Sequence, residues 1–174
     1  MMSKRGTIVL SHGLESGPHA TKVSALAVIA EQQGWHSVRP DFRDLDATRD
    51  VRAIDARLAR ALEAAPAEGR VVFAGSSMGA FISGLASLRR KSAGLFLMAL
   101  PVGIPDYKVE FAAARVPCTL VHGWHDDLCP VDAAIEFARR RGDTLLLVDD
   151  DHRLAAHVDA CAQAFRQLLQ VLDA

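Results

Sequence analysis

Arg70-Val-Val-Phe-Ala-Gly-Ser-Ser-Met-Gly-Ala-Phe-Ile-Ser-Gly-Leu-Ala-Ser-Leu-Arg89 is the stretch that decides the fold. Its apolar start, Val71 to Ala74, led by two β-branched valines, suits a strand buried on both faces. Met78, Phe81, Ile82 and Leu85 then recur at helical spacing. Between strand and helix lies Gly75-Ser76-Ser77-Met78-Gly79, which fits G-x-S-x-G, a sharp turn that exposes a serine hydroxyl. Register selects the serine. Ser77 has Gly75 and Gly79 two positions to either side, whereas Ser76 has Ala74 and the bulky Met78, so Ser77 is the candidate nucleophile. The plain alternative is a Gly/Ser-rich turn that only starts a helix.

Outward from this turn, strands and helices alternate. Thr7–Leu10 reads as a first strand, and a helix runs from about Ala20 to Gln33, stopped by Gly34. Trp35–Arg39 is a second strand, Pro40–Asp44 a loop, and Thr48–Ala64 an amphipathic helix with Val51, Ile54, Leu58 and Leu62 on its stripe. After the central turn come a strand at Gly94–Leu100, an irregular segment from Pro101 to Tyr107, and one or two helical turns at Lys108–Ala114. A strand at Cys118–Val121, a helix at Val131–Arg141, a strand at Thr144–Val148 and a helix from about Ala155 to Leu172 complete the chain. This order predicts a three-layer α/β/α sandwich around a six-stranded, mostly parallel sheet, with residues 1–174 as a single domain. In such sheets ligands bind beyond the carboxyl ends of the strands. Ser11-His12-Gly13, Ser77, Asp126 and His152 all fall at such ends, in the chain order Ser, Asp, His.

Bulk properties narrow the function. With 174 residues, a net charge of -1 and no basic tract, the sequence gives no reason to expect nucleic acid or an anionic membrane as partner. The three cysteines form no C-x-x-C pair, which argues against a zinc site or a disulfide framework and for a reducing compartment. Gly6–Leu10 is too short for a signal-peptide core, and no apolar run approaches the ~20 residues of a membrane span. The expected location is the cytoplasm.

The motifs together resemble the α/β-hydrolase superfamily, specifically its small cap-less bacterial serine hydrolases and esterases. The resemblance covers nearly the whole chain. It rests on Ser11-His12-Gly13, on Gly75 to Gly79, on His122-Gly123-x-x-Asp126-x-x-Cys129-Pro130, and on Asp151-His152. The third looks like the family's H-G-x-x-D-x-x-V-P pattern with cysteine in place of valine, which makes Asp126, rather than Asp127, the triad acid. The resemblance implies a trimmed fold without a lid domain. It also implies a Ser77-His152-Asp126 triad, with the backbone N–H groups of Met78 and Leu14 as oxyanion donors. A substrate pocket is expected from Leu14, Phe42, Met78, Pro101, Val102 and Ile104, with Trp124 as a further candidate. The implied activity is hydrolysis of a small carboxylic ester through an acyl-enzyme (EC 3.1.1.-), with no cofactor and no metal. A thioesterase or acyltransferase using the same triad is the alternative reaction, and a non-catalytic binding protein on the same fold is the alternative class.

The remaining candidates have plain readings too. His12 and His122 lie in H-G turns and suit structural hydrogen bonds, His125 a solvated loop, and His157 the surface of the last helix. Asp149–Asp151 suits either a capping cluster or a solvated run. His122, His125 and Asp126 have metal-ligand types at plausible spacing, but a turn directly after a strand seldom aims such side chains at one centre.

Overall fold

The computed structural model describes residues 4–48, 50 and 53–174. Six parallel strands form one sheet in the order β2-β1-β3-β4-β5-β6. They are β1 (Thr7–Ser11), β2 (His36–Val38), β3 (Val71–Ser76), β4 (Gly94–Met98), β5 (Cys118–Gly123) and β6 (Thr144–Val148). Helices α1 (Thr21–Gln32), α2 (Arg43–Asp46), α3 (Ala53–Ala64), α4 (Met78–Arg89), α5 (Val131–Arg141) and α6 (Val158–Asp173) connect them.

Strand side chains alternate between two cores, as the two-residue period of a pleated strand requires. Val9, Val71, Phe73, Leu95, Leu97 and Leu120 face α3, α4 and α5. Ile8, Leu10, Val72, Ala74, Phe96 and Met98 face α1 and α6. The central strands are apolar in both registers because both faces are covered. Strand order reverses direction between β1 and β3, so the loops after these two strands diverge and open a crevice at the carboxyl edge.

Several elements differ from the sequence reading. A short helix, α2, stands where only a loop was expected, and α3 is described from Ala53. Val51, expected on its stripe, lies outside the described residues. Residues 108–114 form no helix. Their apolar and polar groups are claimed by neighbours instead. Phe111 stacks on Phe81 and Phe137, with ring centroids 5.2 Å away in each case. Arg141 donates to the carbonyls of Ala113 and Ala114, and Ala114 N–H donates to Ser87 Oγ. β5 runs two residues further than its apolar core, to Gly123, because β6 continues to pair with it at Leu147 and Val148. The last helix opens with a 3₁₀ turn, Ala155–His157. The long connection from β4 to β5 contains no helix or strand, so no lid domain stands over the carboxyl edge.

Candidate active site

Ser77 sits between β3 and α4 with φ 54° and ψ −120°, a conformation that side chains rarely adopt. The flanking glycines explain how the turn closes. A Cβ at Gly75 would lie 2.3 Å from the Gly79 carbonyl carbon, and one at Gly79 would lie 2.0 Å from the Ser11 carbonyl oxygen. Either position occupied by alanine would drive the turn off its neighbours. Ser76, the rejected alternative, is the last residue of β3. Ser77 N–H donates to the Met98 carbonyl at 2.9 Å, which ties the turn to the end of β4.

The side chains at three strand ends form one row. Ser77 Oγ lies 2.8 Å from His152 Nε2, and His152 Nδ1 lies 2.8 Å from Asp126 Oδ2. Because a carboxylate only accepts, Nδ1 carries the imidazole proton and Nε2 is left to accept from the serine hydroxyl. Asp126 is fixed at its other oxygen, where Leu128 N–H and Cys129 N–H donate to Oδ1 at 3.0 and 2.7 Å. Asp127 is exposed. His122, fully buried, donates from Nε2 to the Cys129 carbonyl at 2.7 Å, and the same nitrogen is 3.3 Å from Asp126 Oδ2.

The acid and histidine loops are joined as well. A Cβ at Gly123 would meet the Asp150 carbonyl oxygen at 2.3 Å, and His125 N–H donates to that carbonyl at 3.0 Å. Asp150 accepts from Asp151 N–H, from Ala156 N–H and from His157 Nδ1. The His157 bond first, and the backbone donors after it, hold the Asp150 carboxyl below its ordinary range. Asp150 is therefore a cap for the turn that follows His152. His157 is half-buried against it rather than purely at the surface. Asp149 is engaged elsewhere, pairing with exposed His125 at 2.8 Å.

The loop after β1 passes beside the serine, since a Cβ at Gly13 would lie 3.4 Å from Ser77 Cβ. His12, almost fully buried, accepts at Nε2 from Phe42 N–H at 3.0 Å, so its proton is on Nδ1, which donates to the Gly13 carbonyl at 2.8 Å. Burial, the largest influence, holds the His12 imidazole below its ordinary value and favours this neutral form. Met78 opens α4, so its N–H is the first of the helix and has no carbonyl one turn back to donate to.

A solved structure from Xanthomonas campestris pv. campestris, assigned to the α/β superfamily of hydrolases, is 48% identical to this chain. The match covers 96% of this chain and 99% of the other, with a TM-score of 0.92. The chain belongs to the α/β-hydrolase superfamily. Two more distant structures share the fold. One is α/β-hydrolase domain-containing protein 10 from mouse, at 19% identity, covering 99% and 92% of the two chains with a TM-score of 0.77. The other is an α/β serine hydrolase without a lid from Xanthomonas campestris, at 17% identity, covering 97% and 83% with a TM-score of 0.68. No family model matches the chain, and neither does any curated protein.

A cavity of about 1340 Å³ opens over Ser77 and His152 in this lid-less hydrolase. Of the residues expected to form a pocket, Leu14, Met78 and Ile104 line it. Phe42, Pro101, Val102 and Trp124 do not. Phe42 is wholly buried beside His12, Pro101 is buried, Val102 packs against the core on the α3–α5 face, and Trp124 is half exposed. Leu45, Ile54 and Leu128 take their place on the wall. Leu128 was legible in principle: an apolar residue between the acid and Cys129 has no strand or helix to pack with, and it is 71% exposed. Leu45 and Ile54 depend on where α2 and α3 dock, which no local pattern states.

The metal-ligand types in the acid loop diverge, His122 toward the Cys129 carbonyl and His125 toward Asp149. Donor atoms of Asp126, Cys129 and His152 do lie within 4.8 Å of one another. However, Asp126 and His152 already bond to each other, and burial together with the nearby Asp126 charge pushes the Cys129 thiol up to about 12.

Proposed function

We propose that this hydrolase cleaves small carboxylic esters through an acyl-enzyme on Ser77. The observation that carries the reading is the unbroken row from Ser77 Oγ through the His152 imidazole to Asp126, with both links at 2.8 Å. Nucleophile and base are within hydrogen-bond reach, and a third group orients the base. Ser77 Oγ attacks the ester carbonyl while its proton passes to His152 Nε2. Asp126 stabilises the imidazolium so formed. The tetrahedral oxyanion is received by Met78 N–H at the start of α4 and by Leu14 N–H in the β1 loop; preorganised donors of this kind are each worth ~2.7–4 kcal/mol. The leaving alkoxide takes the proton from His152. Water then repeats the sequence on the acyl-enzyme, releasing a carboxylic acid and restoring the serine.

Leu14, Leu45, Ile54, Met78 and Ile104 give the cavity an apolar wall suited to a hydrocarbon acyl group. With no lid above it, each further CH₂ adds ~0.8 kcal/mol only while the wall covers it. Selectivity should therefore rise over the first few carbons and level off, favouring acetyl to hexanoyl esters over palmitoyl ones. None of the helices among the described residues is long and apolar enough to cross a membrane. The three free cysteines suit a reducing compartment, and on that ground we place the enzyme in the cytoplasm. The test is a panel of p-nitrophenyl esters and acyl thioesters against wild type and Ser77→Ala. Ester turnover that is lost in Ser77→Ala supports the proposal. A preference for thioesters would move the substrate class, and turnover surviving in Ser77→Ala would refute the mechanism.

A further inference from the structure

Arg57 lies where the helical stripe of α3 calls for an apolar residue, three after Ile54 and one before Leu58, and it is only 1% exposed. Its guanidinium reaches out of the helix to the β1 loop, where Nη2 donates to the His12 carbonyl at 2.7 Å. Nη1 pairs with Asp46 of α2, and the guanidinium carbon sits 4.4 Å from the centre of the Phe42 ring. Phe42 N–H in turn donates to His12 Nε2. The contacts close a ring: Arg57 holds the His12 backbone, Phe42 holds the His12 ring, and Arg57 lies over Phe42. The Nε–H of Arg57 has no partner among the described residues.

The ring controls two successive peptide planes. In a trans peptide the carbonyl and the following N–H point in opposite directions. Arg57, by holding the His12 carbonyl, fixes the Gly13 N–H; His12, by donating from Nδ1 to the Gly13 carbonyl, fixes the Leu14 N–H. Both carbonyls are thereby committed to partners. Neither is free to rotate toward Ser77, where a carbonyl dipole would repel a developing oxyanion. A buried ion pair contributes little to stability compared with apolar side chains of similar volume. Stability is therefore a weak reason for an arginine in this stripe, and the His12 carbonyl supplies a stronger one.

We propose that Arg57, acting through His12, is a positioning residue that orients the Leu14 N–H for the oxyanion. This rests on the ester-hydrolase reading of Ser77. The decisive variant is Arg57→Met, which keeps an apolar stem and removes the donors. Outright loss of one oxyanion donor lowers kcat by about 10²–10³, so misorienting one should lower it by about tenfold or more. KM should stay within about twofold, because the interaction is made in the transition state. Affinity for a trifluoromethyl ketone or boronic acid should fall in parallel with kcat/KM, while affinity for the product carboxylate holds. A core variant with the same loss of Tm, Ile82→Val or Leu85→Val, controls for plain destabilisation and should leave that ratio of affinities unmoved.

A folded Arg57→Met enzyme with undiminished kcat and analogue affinity overturns the inference. Should Arg57→Met not fold, Arg57→Lys decides. An ammonium cannot serve Asp46 and the His12 carbonyl as a planar fork does, so a folded lysine variant with wild-type kcat overturns it equally. Ser77→Ala, run alongside, separates the two levels. If it retains turnover, the hydrolase reading itself fails. If it is inactive while the Arg57 variants are unimpaired, only the role of Arg57 fails.

Discussion

The two ends of the sheet solve the same backbone problem in opposite ways. At the amino ends, where chains enter the strands, positive φ among the described residues is carried by glycine: Gly6 before β1, Gly34 before β2, Gly69 before β3 and Gly142 before β6. At the carboxyl ends it is carried by residues with side chains: Glu15 after β1, Ser77 after β3, Ala99 and Asp106 after β4, and Leu154 after β6. Glycine reaches that region without steric cost, whereas other residues pay roughly 1–3 kcal/mol each for sparsely populated conformations. One end is built for stability and the other holds strain where side chains are needed. The carboxyl end is also where the hydrogen-bonded row, the cavity and the buried His12, His122 and Arg57 are found.

On that contrast, substitutions at the two ends should fail differently. The largest effect is expected at the acid. Asp126→Asn should lower kcat by about 10⁴, the scale known for loss of a triad aspartate, with Tm shifted far less than activity. Exposed Asp127→Asn should do little, and steady-state kinetics beside thermal melts will show whether the two separate. Gly79→Ala comes next. Its Cβ would meet backbone at 2.0 Å, which no side chain can yield to, so both stability and turnover should suffer, by more than about 3 kcal/mol in the unfolding free energy. At the other end, Gly142 has open space around it and φ 70°. Gly142→Ala should cost only about 1 kcal/mol of backbone strain and leave kcat at the wild-type value. Equal losses of activity from Gly142→Ala and Gly79→Ala would erase the distinction between the ends.

The smallest effects concern pH. Burial holds the folded-state His12 imidazole below its ordinary 6.5. The unfolded chain then binds the proton more readily, so this contribution to stability is present above about 6.5 and declines as pH falls below it, until the folded imidazole also protonates. Asp150 works in the same direction lower down. Its carboxyl is held below the usual range by His157 and two backbone donors, so its stabilisation is intact above the ordinary carboxylate value and is lost as pH falls through the depressed one. Nitrogen NMR should find His12 protonated on Nδ1 at neutral pH. In Asp150→Asn, the deficit in Tm relative to wild type should shrink on acidification. A His12 that titrates at or above 6.5 would contradict the buried network.

Much of the architecture was legible because it rests on local signals. The run Val71 to Ala74, the glycines about Ser77 and the alternation of strands with helices each state their own geometry. The boundaries of α5 and β6 agree with the sequence reading for the same reason. What escaped depends on contacts between distant segments. Residues 108–114 have helical composition, yet Arg141 and Ser87 satisfy their backbone from outside. Phe42 reads as a pocket residue because it follows β2, but the docking of α2 and α3 turns it inward beneath Arg57 and His12. Arg57 left a trace, a charge on an apolar stripe, whose meaning only the three-dimensional partners supply.

Fluorophosphonate labelling read by intact mass tests the central claim most directly. Wild type and Ser76→Ala should each gain one adduct, mapped by peptide sequencing to Ser77, and Ser77→Ala should gain none. An adduct on Ser77→Ala, or one that disappears in Ser76→Ala alone, would contradict the assignment of the nucleophile to the strained residue between Gly75 and Gly79.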